Sequence, residues 1–197
     1  MKKALFLDRD GIINKMVYNP EFGTVDTPTN SKDVELVFGI EELLKVSSSL
    51  GFLNIFISNQ PNIGLKKISK SKFDEIRKTI AEKLKSVGVV IDNEYYCQHH
   101  PFALIKSYQQ KCSCRKPKHD LYLQAVADHD IDLSKSWSLG DGANDIIAGN
   151  NAGCKTILLG NNLETGYLQL IKKHLGKVKP NFIIKKLPEA IKILKES

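Results

Sequence analysis

The chain has 197 residues, 42% hydrophobic and 26% charged, with a formal net charge of +7 and four cysteines. This is the balance of a soluble globular protein, long enough for one domain over residues 1–197 with a substantial core. No apolar stretch approaches the roughly 20 residues of a membrane helix. The first apolar run stops at Asp8, too short for a signal-peptide core, so a cytoplasmic protein without a membrane partner is expected.

Apolar runs near residues 3–8, 52–57, 136–140 and 155–159 predict strands. Tyr95-Tyr96 and Phe182 to Ile184 predict two more. Helical spacing covers 38–50, 69–88, 118–130, 144–153 and 187–196. The stretch from Asp33 to Val37 can be extended. Ser69 suits an N-cap, and Gly51, Gly88 and Gly153 stand where helices should stop. Strands alternating with helices predict an α/β fold with a mainly parallel central sheet and right-handed crossovers.

The first strand runs Ala4-Leu5-Phe6-Leu7 into Asp8-Arg9-Asp10-Gly11. Alternation on extended backbone would turn Asp8 and Asp10 to one side and Arg9 to the other. Just beyond the carboxyl end of a parallel strand is where open α/β sheets place ligands. Two close carboxylates need a cation or a shared proton, which points to a hard ion such as Mg2+. Asp-Gly is also a common turn dipeptide, and on this fragment both readings stand. Three later segments supply context. Ile55-Phe56-Ile57 ends in Ser58-Asn59-Gln60, Arg115-Lys116 precedes Pro117, and Ser138-Leu139-Gly140-Asp141 is followed by Asp145.

Cys97, His99, Cys112 and Cys114 form Cys-x-His followed by Cys-x-Cys, a normal tetrahedral zinc set. The loop they enclose, about 97–114, has little to make a core, and structural zinc contributes directly to folding. Reduced buried cysteines or a disulfide are the alternatives; a disulfide does not suit the cytosol. His100 is expected on the other face, and Cys154 as a small buried side chain.

Nucleophile, hydroxyl, lysine and distal carboxylates, in that order, resemble the haloacid dehalogenase (HAD) superfamily from Lys3 to about Leu159. Leu7-Asp8-Arg9-Asp10-Gly11-Ile12-Ile13-Asn14, Tyr96-Cys97-Gln98-His99-His100-Pro101 and Cys112-Ser113-Cys114-Arg115-Lys116-Pro117 narrow the match. They resemble the D-glycero-D-manno-heptose 1,7-bisphosphate 7-phosphatases and the related histidinol-phosphate phosphatases. The resemblance implies a three-layer Rossmann-like HAD fold, essentially capless, with a zinc-bound loop.

It further implies Asp8 as nucleophile and Asp10 as general acid and base. Mg2+ would lie on Asp8, the Asp10 carbonyl and Asp141, with Asp145 orienting Lys116 or a metal-bound water. Ser58 and Lys116 would hold the phosphoryl oxygens, with Asn59, Arg115 and Arg9 as candidate substrate contacts. After Gly140-Asp141 the family often carries Lys, Arg or Ser, where this chain has Gly142.

The implied activity is Mg2+-dependent hydrolysis of a phosphorylated sugar, in nucleotide-activated heptose biosynthesis for lipopolysaccharide or another surface glycan, by a monomer. Histidinol-phosphate phosphatase is the alternative within the same chemistry. From another class, a zinc-stabilised nucleic-acid-binding protein or polynucleotide 3′-phosphatase would use the lysines of the last quarter. A solvated face is the favoured reading of those lysines, since charge without a recognition motif is weak evidence of nucleic acid.

Overall fold

The computed structural model describes residues 1–21, 23–160 and 165–197. In chain order, β1 (Lys3–Leu7) is followed by a short hairpin, β2 (Val17–Asn19) and β3 (Thr24–Asp26), then α1 (Ile40–Ser49). Next come β4 (Phe52–Asn59), α2 (Lys70–Ser86), β5 (Asn93–Cys97) and α3 (Asp120–His129). The chain continues through β6 (Trp137–Gly140), α4 (Ala143–Ala152), β7 (Lys155–Leu159), α5 (Thr165–Leu175), β8 (Phe182–Ile184) and α6 (Leu187–Lys195).

Six strands form one sheet in the order β5-β4-β1-β6-β7-β8. All five pairings are parallel. The parallel α/β expectation therefore holds. Period-2 alternation separates the two cores. Leu5 and Leu7 of β1 join Phe56, Leu139 and Ile157 under α1, α2 and α6. Ala4 and Phe6 join Ile55, Ile57 and Tyr95 under α3. A smaller cluster of Ile146, Leu158, Ile171 and Leu175 packs α5 against α4 and β7.

The expected strands and helices all form, with shifted ends. α1 starts at Ile40 rather than residue 38 because Gly39 takes a left-handed conformation, φ +85°. The Ser69 hydroxyl caps α2 by accepting from the Lys72 amide at 3.1 Å, as expected. β4 runs two residues past its predicted end, to Asn59, because β5 pairs with it to the register Asn59–Cys97. The hairpin and α5 were not anticipated. Each hairpin strand has only three residues, too few for a period to show. All eight lysines from Lys172 to Lys195 are exposed, as a solvated face requires. Among the described residues, no helix is long and apolar enough to cross a membrane.

Candidate active site

Leu7 lies level with Phe56 of β4 and Leu139 of β6; β1 ends there and β6 one residue later, while β4 runs on to Asn59. Asp8, the next residue, keeps its amide on the Leu139 carbonyl at 3.1 Å. Asp141 follows β6 directly, and Asp145 stands in the first turn of α4. Carboxylate oxygens of Asp8, Asp141 and Asp145 all lie within 4.8 Å of one another.

One buried cation answers them. The Lys116 ammonium sits 3.0 Å from Asp8 Oδ1 and 2.5 Å from Asp145 Oδ1. It also donates to the Ile57 carbonyl at 2.6 Å. Burial opposes its charge, but Asp145 and Asp8 outweigh burial and raise its pKa. Asp145 is fixed at both oxygens, since Oδ2 accepts from the Gly142 amide at 3.0 Å.

Asp141 has no such partner among the described residues. Burial, and then the charges of Asp145 and Asp8, push its carboxyl well above the usual range. Burial also raises Asp8, with Lys116 offsetting part and Asp145 adding to the rise. An uncompensated carboxylate beside two others is a donor set that fits a hard divalent ion. Gly11 makes the approach possible. Its φ is +88°, and a Cβ there would meet Asp141 Oδ2 at 2.0 Å.

Asp10 departs from the alternation argument. β1 ends at Leu7, and the chain turns at once, with Ile13 and Asn14 both bonding the Arg9 carbonyl. Arg9 consequently does not point away from Asp10. Its Nη2 pairs with Asp10 Oδ2 at 3.0 Å, and Phe73 and Tyr96 rings lie 5.8 Å from the guanidinium. Asn14 Nδ2 donates to Asp10 Oδ1 at 2.9 Å, and Gln60 Nε2 donates to Oδ2 at 2.5 Å. Gln60 also accepts from Arg9 at 2.6 Å and donates to Ser58 Oγ at 3.0 Å. Sequence reasoning quoted Asn14 and Gln60 within motifs but assigned them no part. Their signal was amides placed at a turn and at a strand end.

The remaining candidates gather around the second cluster. Asn59 exchanges two hydrogen bonds with the Lys116 backbone. Arg115 Nη1 donates to the His99 carbonyl at 3.3 Å. Cys97, His99, Cys112 and Cys114 bring their ligand atoms together within 4.8 Å. The Cys114 sulfur lies 3.1 Å from that of Cys97, 3.3 Å from that of Cys112 and 3.3 Å from His99 Nδ1. Four soft donors converging like this fit a closed zinc site. Burial raises the Cys97 thiol, whereas neighbouring donors outweigh burial at Cys112 and bring it to about 7. His100 stays outside the cluster and accepts from the Phe102 amide. Cys154 is buried elsewhere, in the core under α3.

A cavity of about 350 Å³ opens onto Asp8, Asn59, Lys116, Gly142 and Asp145, with Leu170 and His174 of α5 on its far wall. No motif marked those α5 residues. A larger recess of about 540 Å³ lies between α2 and β5, but it holds none of the clustered carboxylates.

A family model described as HAD-hydrolase-like matches residues 113–190. A D-glycero-beta-D-manno-heptose-1,7-bisphosphate 7-phosphatase of Helicobacter pylori is 40% identical over 158 residues, covering 80% of this chain and 83% of that one. The chain belongs to this family of HAD-type phosphatases. The enzyme of the same name from Pasteurella multocida is 31% identical over 195 residues, 99% of this chain and 98% of its own. Among solved structures, D,D-heptose 1,7-bisphosphate phosphatase from B. bronchiseptica, complexed with magnesium and phosphate, shares the HAD fold. It superposes with a TM-score of 0.79 at 21% identity, covering 99% of each chain.

Proposed function

We propose that the protein is a Mg2+-dependent phosphomonoester hydrolase that removes the 7-phosphate of D-glycero-D-manno-heptose 1,7-bisphosphate. The observation that carries this reading is Lys116, buried and bridging Asp8 and Asp145 beside an uncompensated Asp141. An Asp8 oxygen attacks phosphorus, and the bond from phosphorus to the sugar oxygen breaks. Asp10 gives that oxygen its proton, then takes one from the water that cleaves the aspartyl-phosphate. Ser58 and Lys116 hold the phosphoryl oxygens, while Arg9, Asn14 and Gln60 orient Asp10. Mg2+, held by Asp8, the Asp10 carbonyl and Asp141, would neutralise charge on the phosphoryl group.

The cysteine set holds structural zinc in this reading, and reduced thiols suit a cytoplasmic enzyme. Arg115 is the candidate contact to the substrate beyond its phosphate. The only strands between β1 and α1, among the described residues, are the short hairpin β2–β3, which supports an essentially capless site.

The test is kcat/KM with Mg2+ for both anomers of the heptose bisphosphate, with histidinol phosphate alongside. A preference of about 100-fold or more for one heptose anomer is expected. Similar, weak rates on all three would keep the phosphatase chemistry and overturn the substrate. No hydrolysis of any of them would overturn both.

A further inference from the structure

Asn59 stands where the two clusters meet. It is the last residue of β4, and its register partner on β5 is the thiol residue Cys97. The next amide, of Gln60, donates to the Cys97 carbonyl at 2.7 Å. The Asn59 side chain turns the other way along the chain of contacts. Its Nδ2 donates to the Lys116 carbonyl at 3.1 Å, and its Oδ1 accepts from the Lys116 amide at 3.0 Å. Lys116 lies two residues beyond Cys114, with only Arg115 between them.

A side-chain amide that uses both its donor and its acceptor on one residue's backbone acts as a short piece of β-ladder. Segment 112–116 has no regular structure of its own. Among the described residues it is held by the cysteine cluster, the Lys116 ammonium, the Arg115 bond to the His99 carbonyl, a Lys118 ammonium on the Cys112 carbonyl at 2.7 Å, and this two-point clamp. The clamp therefore helps fix the backbone that carries the Cys114 thiol at one end and the buried ammonium at the other.

We propose that Asn59 is a positioning residue that couples the cysteine–histidine cluster to Lys116, rather than a group that touches the sugar. This rests on the reading above, in which Lys116 meets phosphate and the cluster holds zinc. Asn59 ligates nothing itself. Removing its clamp loosens both ends of the segment together, so zinc affinity and turnover fall in parallel.

The experiment uses the full chain and two variants, Asn59→Ala and Asn59→Asp. Zinc affinity is measured by competition with a chromophoric chelator, and turnover with p-nitrophenyl phosphate, which has no sugar to contact. For Asn59→Ala, both quantities should fall by about tenfold, the usual scale for groups that orient a site's ligands. Asn59→Asp keeps the acceptor for the Lys116 amide and should recover part of both losses together. If Asn59→Ala does not fold, Asn59→Asp alone reads the same pair.

Unchanged zinc affinity would overturn the coupling. So would a loss confined to the heptose bisphosphate with p-nitrophenyl phosphate turnover intact, since that marks a direct sugar contact. If the unaltered chain hydrolyses neither p-nitrophenyl phosphate nor the heptose bisphosphate, the phosphatase reading fails, while unchanged zinc affinity in the variants would still overturn the coupling.

Discussion

Asp8 and Asp141 stand just past the ends of β1 and β6, and Asp145 in the first turn of α4, which packs on the sheet. Cys97 is on a strand, but His99, Cys112 and Cys114 lie on irregular chain. Both regions crowd groups that oppose one another. The carboxylates carry a cation of their own chain, Lys116, and rest on strands whose cores hold regardless of the site. Among the described residues the cysteine cluster carries no cation of its own chain, and its one anchor in the sheet is Cys97, with Cys112 and Cys114 only partly buried against the core under α3. The difference teaches where each region's order comes from. Tertiary packing sets the first, and a bound metal is expected to set the second.

The comparison can be broken most sharply at Asp8. Asp8→Asn should lower kcat by at least about 10⁴-fold while leaving the fold intact, because the scaffold does not depend on that charge. Substantial remaining turnover with an unchanged circular dichroism spectrum would remove Asp8 as nucleophile. Lys116→Met comes next. It takes away the cation that pairs with Asp8 and Asp145, and turnover should fall by about 10²- to 10³-fold. If activity survives, the carboxylate cluster does not rely on Lys116 in the way proposed.

The cysteine side is tested by changing Cys112 and Cys114 together to serine. Zinc, about one per chain in the unaltered protein, should be lost, and turnover should drop by about 10- to 100-fold. The 97–114 loop should become the preferred site of proteolysis while the sheet stays protected. Zinc-free protein with a protected loop would show that packing orders the loop after all.

The smallest effect concerns stability. The Asp141 carboxyl is raised in the folded chain, so its contribution is complete below the unfolded value and is lost as pH rises through the folded value. Mg2+ should cancel that loss. The gain in Tm on adding saturating Mg2+ should therefore grow as pH rises above the usual carboxylate range, reaching a few degrees. A gain that is flat with pH would place Mg2+ elsewhere.

By itself, the amino-acid sequence determined the six strands of the main sheet, every described α-helix but α5, and the identity of the chemical groups. Short apolar runs ending in Asp8, Ser58 and Asp141 are local patterns, and a parallel sheet puts such ends on one edge whatever the details. The convergence of Cys97, His99, Cys112 and Cys114 was legible for a similar reason, because Cys-x-His and Cys-x-Cys spacings are local. Tertiary structure alone decided the pairings. Arg9 reaches Asp10 rather than pointing away because the chain leaves the extended state after Leu7, which no period-2 argument can see. Gln60 meets Asp10 across 50 residues, and Asn59 clamps Lys116 across 57, contacts that exist only once β1, β4 and the loop before α3 are assembled. Helix α5 and the far wall of the cavity likewise depend on packing against α4 and β7 rather than on any motif. Local periodicity reports which face a residue prefers, whereas hydrogen-bond partners are chosen by strand order and register.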